Sequence, residues 1–134
     1  MKKIAYNFLM LAAFAVIVMF AAQCTTKTAS VEDTVMDYYS SINKNNFKST
    51  NPNMIASWSQ KTDNDKQYLE EFQGQIAEFF KQHQGLKEVK IVESTPGGTE
   101  AEASIDIQLI CNDGYIEAVS HQLVKEGDAW KIMQ

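Results

Sequence analysis

Apolar positions along this chain change period twice. From Phe8 to Ala22 every residue is apolar, and the run stops at Cys24. Beyond it the spacing becomes helical. Val31, Val35, Tyr38 or Tyr39, and Ile42 fall on one face of a helix that starts at Ser30, with Ser30 as N-cap and Asp33 near the capping-box position. Asn43-Lys44-Asn45-Asn46 ends it. Phe47 opens a shorter unit in which Asn51-Pro52 reads as N-cap plus first helical residue, so that Met54, Ile55 and Trp58 share one side. After a polar break, Thr62 or Asp63 caps a third helix that runs to about Gln84. Its stripe is Tyr68 or Leu69, Phe72, Ile76, Phe79 and Phe80, and Gly85 is the natural stop.

After Gly85 the period drops to two. Val89 and Ile91 alternate with Lys90, and Thr95-Pro96-Gly97-Gly98 fits a type II turn. Ala101, Ala103, Ile105, Ile107, Leu109 and Cys111 then share one face, with Glu102, Ser104, Asp106 and Gln108 on the other. A three-residue loop at Asn112-Asp113-Gly114 pairs Leu109 with Glu117, Ile107 with Val119, Ile105 with His121 and Ala103 with Leu123. A two-residue loop would flip every one of those side chains. A two-residue Glu126-Gly127 loop then pairs Leu123 with Trp130 and His121 with Ile132, which agrees with the same inner face. The pattern predicts an α+β domain: three N-terminal helices packed on a curved four-stranded antiparallel sheet.

The first apolar run is not domain material. Lys2 and Lys3 precede it, small residues and Cys24 close it, and a polar stretch follows. This resembles the lipobox of bacterial lipoproteins, which implies a signal peptide over residues 1–23, lipidation of Cys24, a tether over 24–29 and a domain over 30–134. An ordinary secretory signal, or an uncut anchor over Ile4–Ala22, would also put the domain outside the cytoplasm. Without the leader the chain keeps ten lysines and no arginine against 17 acids, a net charge of −7. That field repels phosphate backbones, which excludes nucleic acid as a partner class. With Cys24 lipidated, Cys111 is the one remaining cysteine, so no disulfide framework holds the fold.

The element order, together with Val31-Glu32-Asp33-Thr34-Val35, Tyr38-Tyr39, Asn45-Asn46-Phe47 and the closing Leu123–Ile132 segment with its acidic turn and Trp130-Lys131-Ile132, is similar to the nuclear-transport-factor-like (cystatin-like) cone fold. Within that fold the chain resembles a family of small bacterial lipoproteins of unknown function, some of whose relatives are labelled lumazine-binding. The resemblance implies a sheet wrapped around the helices with a pocket at the open end, and a homodimer through the outer sheet face. Glu102, Ser104, Asp106 and Gln108 make that face polar, which opposes a large apolar interface.

The chosen register turns His121 and Glu117 toward the helices, as polar groups on an apolar concave face. With Cys111, Tyr39, Trp58 and Trp130 they form the candidate pocket. A histidine there has the right pKa range for acid–base work, but no second catalytic group is forced by spacing. Two distant histidines and one thiol do not make a zinc site, Asp63-Asn64-Asp65 lacks the glycine and distal glutamate of a calcium loop, and there is no phosphate loop or serine elbow. The expectation is a non-enzymatic lipoprotein of the cell envelope, facing the periplasm from the outer membrane. It would bind a small apolar ligand or an envelope protein, without cofactor or metal. The alternative is a lyase, isomerase or hydrolase using His121.

Overall fold

The computed structural model describes residues 29–134; the leader, Cys24 and most of the tether lie outside the described residues. Helix α1 spans Val31–Asn43, α2 Phe47–Met54 and α3 Asp63–Gln82, with a short 3-10 turn at Ser57–Gln60. Four strands follow, β1 Leu86–Pro96, β2 Glu102–Cys111, β3 Ile116–Glu126 and β4 Ala129–Ile132, in one antiparallel sheet of order β1-β2-β3-β4. No described helix is long and apolar enough to cross a membrane.

Local chemistry sets the helix ends. The Ser30 hydroxyl accepts from the Asp33 amide at 3.1 Å, and Thr62 with Asp65 forms a complete capping box at the start of α3. At the far end of α3, Gln84 and Gly85 take positive φ and the Gly85 amide bonds the Phe80 carbonyl at 2.6 Å, which turns the chain toward β1.

The second helix departs from expectation. Asn51 does not cap it; Asn46 precedes it, and Asn51 and Pro52 lie near its end. The Asn51 side chain is buried and committed elsewhere. Its amide donates to Gln73 Oε1 at 2.8 Å and accepts from Gln73 Nε2 at 2.7 Å. Ile55 and Trp58 consequently do not share a helix face. Ile55 is fully buried in a parallel bridge to Ile132, while Trp58 sits on the 3-10 turn, 47% exposed.

Strand β2 follows its alternation, with Ala103, Ile105, Ile107, Leu109 and Cys111 buried. The β2–β3 register is the one predicted: Leu109 opposite Glu117, Ile107 opposite Val119, Ile105 opposite His121 and Ala103 opposite Leu123. Gly114 takes positive φ in the three-residue loop, and the Cys111 amide bonds the Tyr115 carbonyl at 2.8 Å.

Two turns differ from their sequence reading. Gly97 lacks the positive φ of a type II turn. Its amide bonds the Glu102 carbonyl at 2.8 Å, and a Cβ there would come within 2.6 Å of Glu102 Cβ, so close strand approach explains this glycine. At the last hairpin the loop is Gly127-Asp128, which pairs Glu126 with Ala129, Lys125 with Trp130 and Leu123 with Ile132. Gly127, at φ 62°, fills the first central position, where a primed turn wants glycine; the expected loop would have put Glu126 there. The slip is two residues, so the inner face is kept while every partner moves one pair along.

Register shifts in β1 between Leu86 and Glu88 and between Ile91 and Glu93 bend the sheet. Helix α1 packs against the concave side, with Val35, Tyr38 and Ile42 in the core. Helix α3 packs on α1 and α2, and its main contacts do not include the strands. A gap therefore opens between α3 and β3.

Candidate functional site

That gap is a cavity of about 630 Å³. Tyr38 and Tyr39 come to it from α1, Phe72, Ile76 and Phe79 from α3, and Glu117, Val119 and His121 from β3. Its walls follow from the two sequence periods. Residues three or four apart on α3 present Phe72, Ile76 and Phe79 on adjoining turns, while alternate residues of β3 present Glu117, Val119 and His121.

His121 is half-buried, and its Nε2 lies 2.6 Å from Tyr39 Oη. Desolvation pushes the imidazole pKa down to about 4, so the ring is neutral at physiological pH. Burial, with the neighbouring Tyr38 adding to it, pushes the Tyr39 phenol up and keeps it protonated. A neutral imidazole has one donating and one accepting nitrogen. The Tyr39 contact uses Nε2, leaving Nδ1 with the opposite role. Tyr38 is raised to about 12, mainly by burial against an opposing hydrogen bond from Gln73, and its hydroxyl accepts from Gln134 Nε2 at 3.2 Å.

The rim is an aromatic stack tied by polar contacts. His83 lies 4.4 Å from Tyr115, ring centre to ring centre, and 4.6 Å from Phe79. His83 Nδ1 meets Asp113 Oδ2 at 2.7 Å, and Tyr115 Oη donates to Glu117 Oε2 at 2.9 Å. The Tyr115 amide and His83 together hold the Asp113 carboxyl below its usual range, whereas the Glu117 contact raises the Tyr115 phenol.

Of the candidate pocket residues, the structure brings His121, Glu117 and Tyr39 together. It does not bring in Cys111, Trp58 or Trp130. Cys111, 1% exposed, closes the core end of β2, and burial raises its thiol pKa. Trp58 lines a separate groove of about 350 Å³ beside Tyr68 and Phe72, because the 3-10 turn carries it outward. Trp130 lines a third hollow of about 500 Å³ near Ala29, Met54 and Asp128, with Lys125 Nζ 5.5 Å from its ring centre. The hairpin slip is the reason, since it sets Trp130 opposite Lys125 rather than Leu123.

Not every residue of the apolar α3 stripe is core, and Phe72 is the exception that matters here. It is 44% exposed and stands at the cavity mouth, as Phe80 takes the buried position. Gln75, Met133 and Gln134 line the cavity without having been singled out. Gln75 sits beside the apolar stripe, a weak signal; Met133 and Gln134 follow the last strand and carried none.

No family model matches the chain, and no curated protein matches it. Among solved structures, the fold is similar to a Campylobacter jejuni protein named "Putative NTF2-like transpeptidase", with a TM-score of 0.64 and 19% sequence identity, over 79% of this chain and 99% of that one. The domain has the NTF2-like cone fold.

Proposed function

We propose that this chain is an envelope lipoprotein, held to the membrane through Cys24, whose cone domain binds a small and largely apolar ligand between α3 and β3. The cavity carries the binding half of this reading. Its volume of about 630 Å³ falls within the roughly 300–1,000 Å³ of small-molecule sites, and its aromatic walls and few convergent polar groups are what such sites use. A packed structural core would have filled that space; here Trp58 and Trp130 sit elsewhere. The leader that ends on Cys24 carries the anchoring half.

Binding suits the polar pair better than catalysis does. A histidine with its pKa near 4 is a poor base at neutral pH, and its Nε2 is occupied by Tyr39. The structural neighbour's name speaks of transpeptidation, which needs an accessible nucleophile. The thiol of Cys111 is buried and its pKa is raised, the reverse of an activated nucleophile.

Thermal melting with a panel of small aromatic compounds tests the binding half. At least one should stabilise the wild type and lose its effect on Val119→Trp, which fills the cavity. A panel that leaves the wild type unmoved overturns this half. Mass measurement of the Cys24 peptide from the membrane fraction tests the other half: the expected species is diacylglyceryl-cysteine at a new amino terminus, and an unmodified thiol overturns it.

A further inference from the structure

We infer that the ligand of this cavity is an organic cation, an alkylated ammonium on a compact apolar body, with aromatic rings as its walls and Glu117 as its counter-charge. The inference rests on the reading of the cavity as a ligand site and adds the charge class of the ligand. Five aromatic residues line the space, Tyr38, Tyr39, Phe72, Phe79 and Tyr115. Ring faces carry negative quadrupole potential and attract cations, most strongly where water is excluded. The three tyrosine hydroxyls are already bonded within the protein, to Gln134, His121 and Glu117. Tyr38 and Tyr39 are almost wholly buried and back the wall, so the ring surface within reach of a ligand comes from Phe72, Phe79 and Tyr115.

The charge pattern points the same way. Among the described residues, Glu117 has the only lining side chain with a formal charge, since no lysine reaches the cavity and the chain contains no arginine. His121 is neutral and adds no positive charge. Glu117 lies on the inner face opposite Leu109, its Oε2 is held by Tyr115, and it makes no salt bridge among the described residues. An anionic ligand would meet this carboxylate with nothing to compensate it. A bare ammonium would give up strong hydration for few acceptors. An alkylated ammonium is weakly hydrated and gives up little, so aromatic and thioether surface, the latter from Met133, suits it.

The test uses an isosteric pair, choline and 3,3-dimethylbutan-1-ol, which differ by nitrogen for carbon and hence by one charge. Equilibrium dialysis of the full chain in non-ionic detergent, at pH 7 and low salt, should show choline held about tenfold more tightly. Glu117→Gln, which keeps an acceptor for Tyr115, should bring the two probes to within about twofold. Glu100→Gln, a charge removal in the β1–β2 loop away from the cavity, should leave the preference intact. Equal binding of the two probes by the wild type overturns the cation inference while leaving a ligand cavity standing. A preference that survives Glu117→Gln assigns it to the rings or to the general acidity of the chain, and one that disappears in Glu100→Gln assigns it to that acidity; either overturns the role of Glu117. Binding of neither probe also overturns the inference, and the Val119→Trp melting experiment then decides separately whether the cavity binds ligands at all.

Discussion

Two polar pairs interrupt the apolar interior, and they are built to opposite ends. Asn51 and Gln73 face each other as reciprocal amides, two hydrogen bonds in a site where Gln73 is wholly buried. Both oxygens and one N–H of each amide are used inside the pair, and Gln73 also hydrogen-bonds Tyr38. Tyr39 and His121 make a single contact, and the imidazole keeps its second nitrogen on a cavity that opens to solvent. The closed pair holds α2 against α3. The open pair presents a hydrogen-bonding group to whatever enters. A buried polar group that satisfies itself is architecture, and one left half-satisfied at a cavity is equipment for a ligand.

The comparison is most easily broken at the closed pair. Asn51→Leu strands the Gln73 amide where water cannot reach it, at a cost of about 3 kcal/mol in urea unfolding. The double variant Asn51→Leu/Gln73→Met removes both partners and should return to within about 1 kcal/mol of wild type. Additive losses would mean that the site is not sealed.

The open pair predicts a pH dependence. The unfolded imidazole takes up its proton as pH falls below about 6.5, the folded one only near 4, so the unfolded state binds more protons in that window and stability falls with pH. Complete separation of the two pKa values corresponds to about 3 kcal/mol; solvent entering the cavity reduces this to about 2 kcal/mol. Between pH 7 and 4.5, wild type should therefore lose about 2 kcal/mol more than His121→Phe in urea unfolding. Parallel pH profiles for the two proteins would remove the basis for a neutral, desolvated His121.

The smallest effect sharpens the contrast. Tyr39→Phe takes one bond from His121, but cavity water can replace it, so the expected loss is about 1 kcal/mol, well below that of Asn51→Leu. Equal losses in the two variants, measured by urea unfolding, would show that the cavity is as dry as the core.

Much of this arrangement was legible in the linear pattern, and the failures have identifiable causes. Periodicity located α1, α3 and β2, and caps such as Ser30 and Thr62 are local chemistry that a single chain displays. The β2–β3 register could be read because Gly114 favours one loop length and one parity buries the apolar residues. The β3–β4 register was missed because a slip of two preserves parity; only the demand for glycine at the first central turn position separates the alternatives. Asn51 was misread because its capping preference is local, whereas its partner Gln73 lies 22 residues away. Trp58 and Trp130 leave the expected pocket for other hollows because the 3-10 turn breaks the helix face that Trp58 would share with Ile55, and because the β3–β4 slip sets Trp130 opposite Lys125.

By itself the sequence determined where helices give way to strands, which face of each strand is apolar, and that an apolar leader ends on a cysteine. These depend on spacing and on neighbours a few residues apart. Only the tertiary structure decided that α3 would settle on α1 and α2 rather than on β3, and so that a cavity exists. It also decided that His121 would meet Tyr39 across 82 residues and lose its charge to burial. Those outcomes rest on how elements stand off from one another and on how much water remains between them, and residue spacing along a chain carries neither quantity.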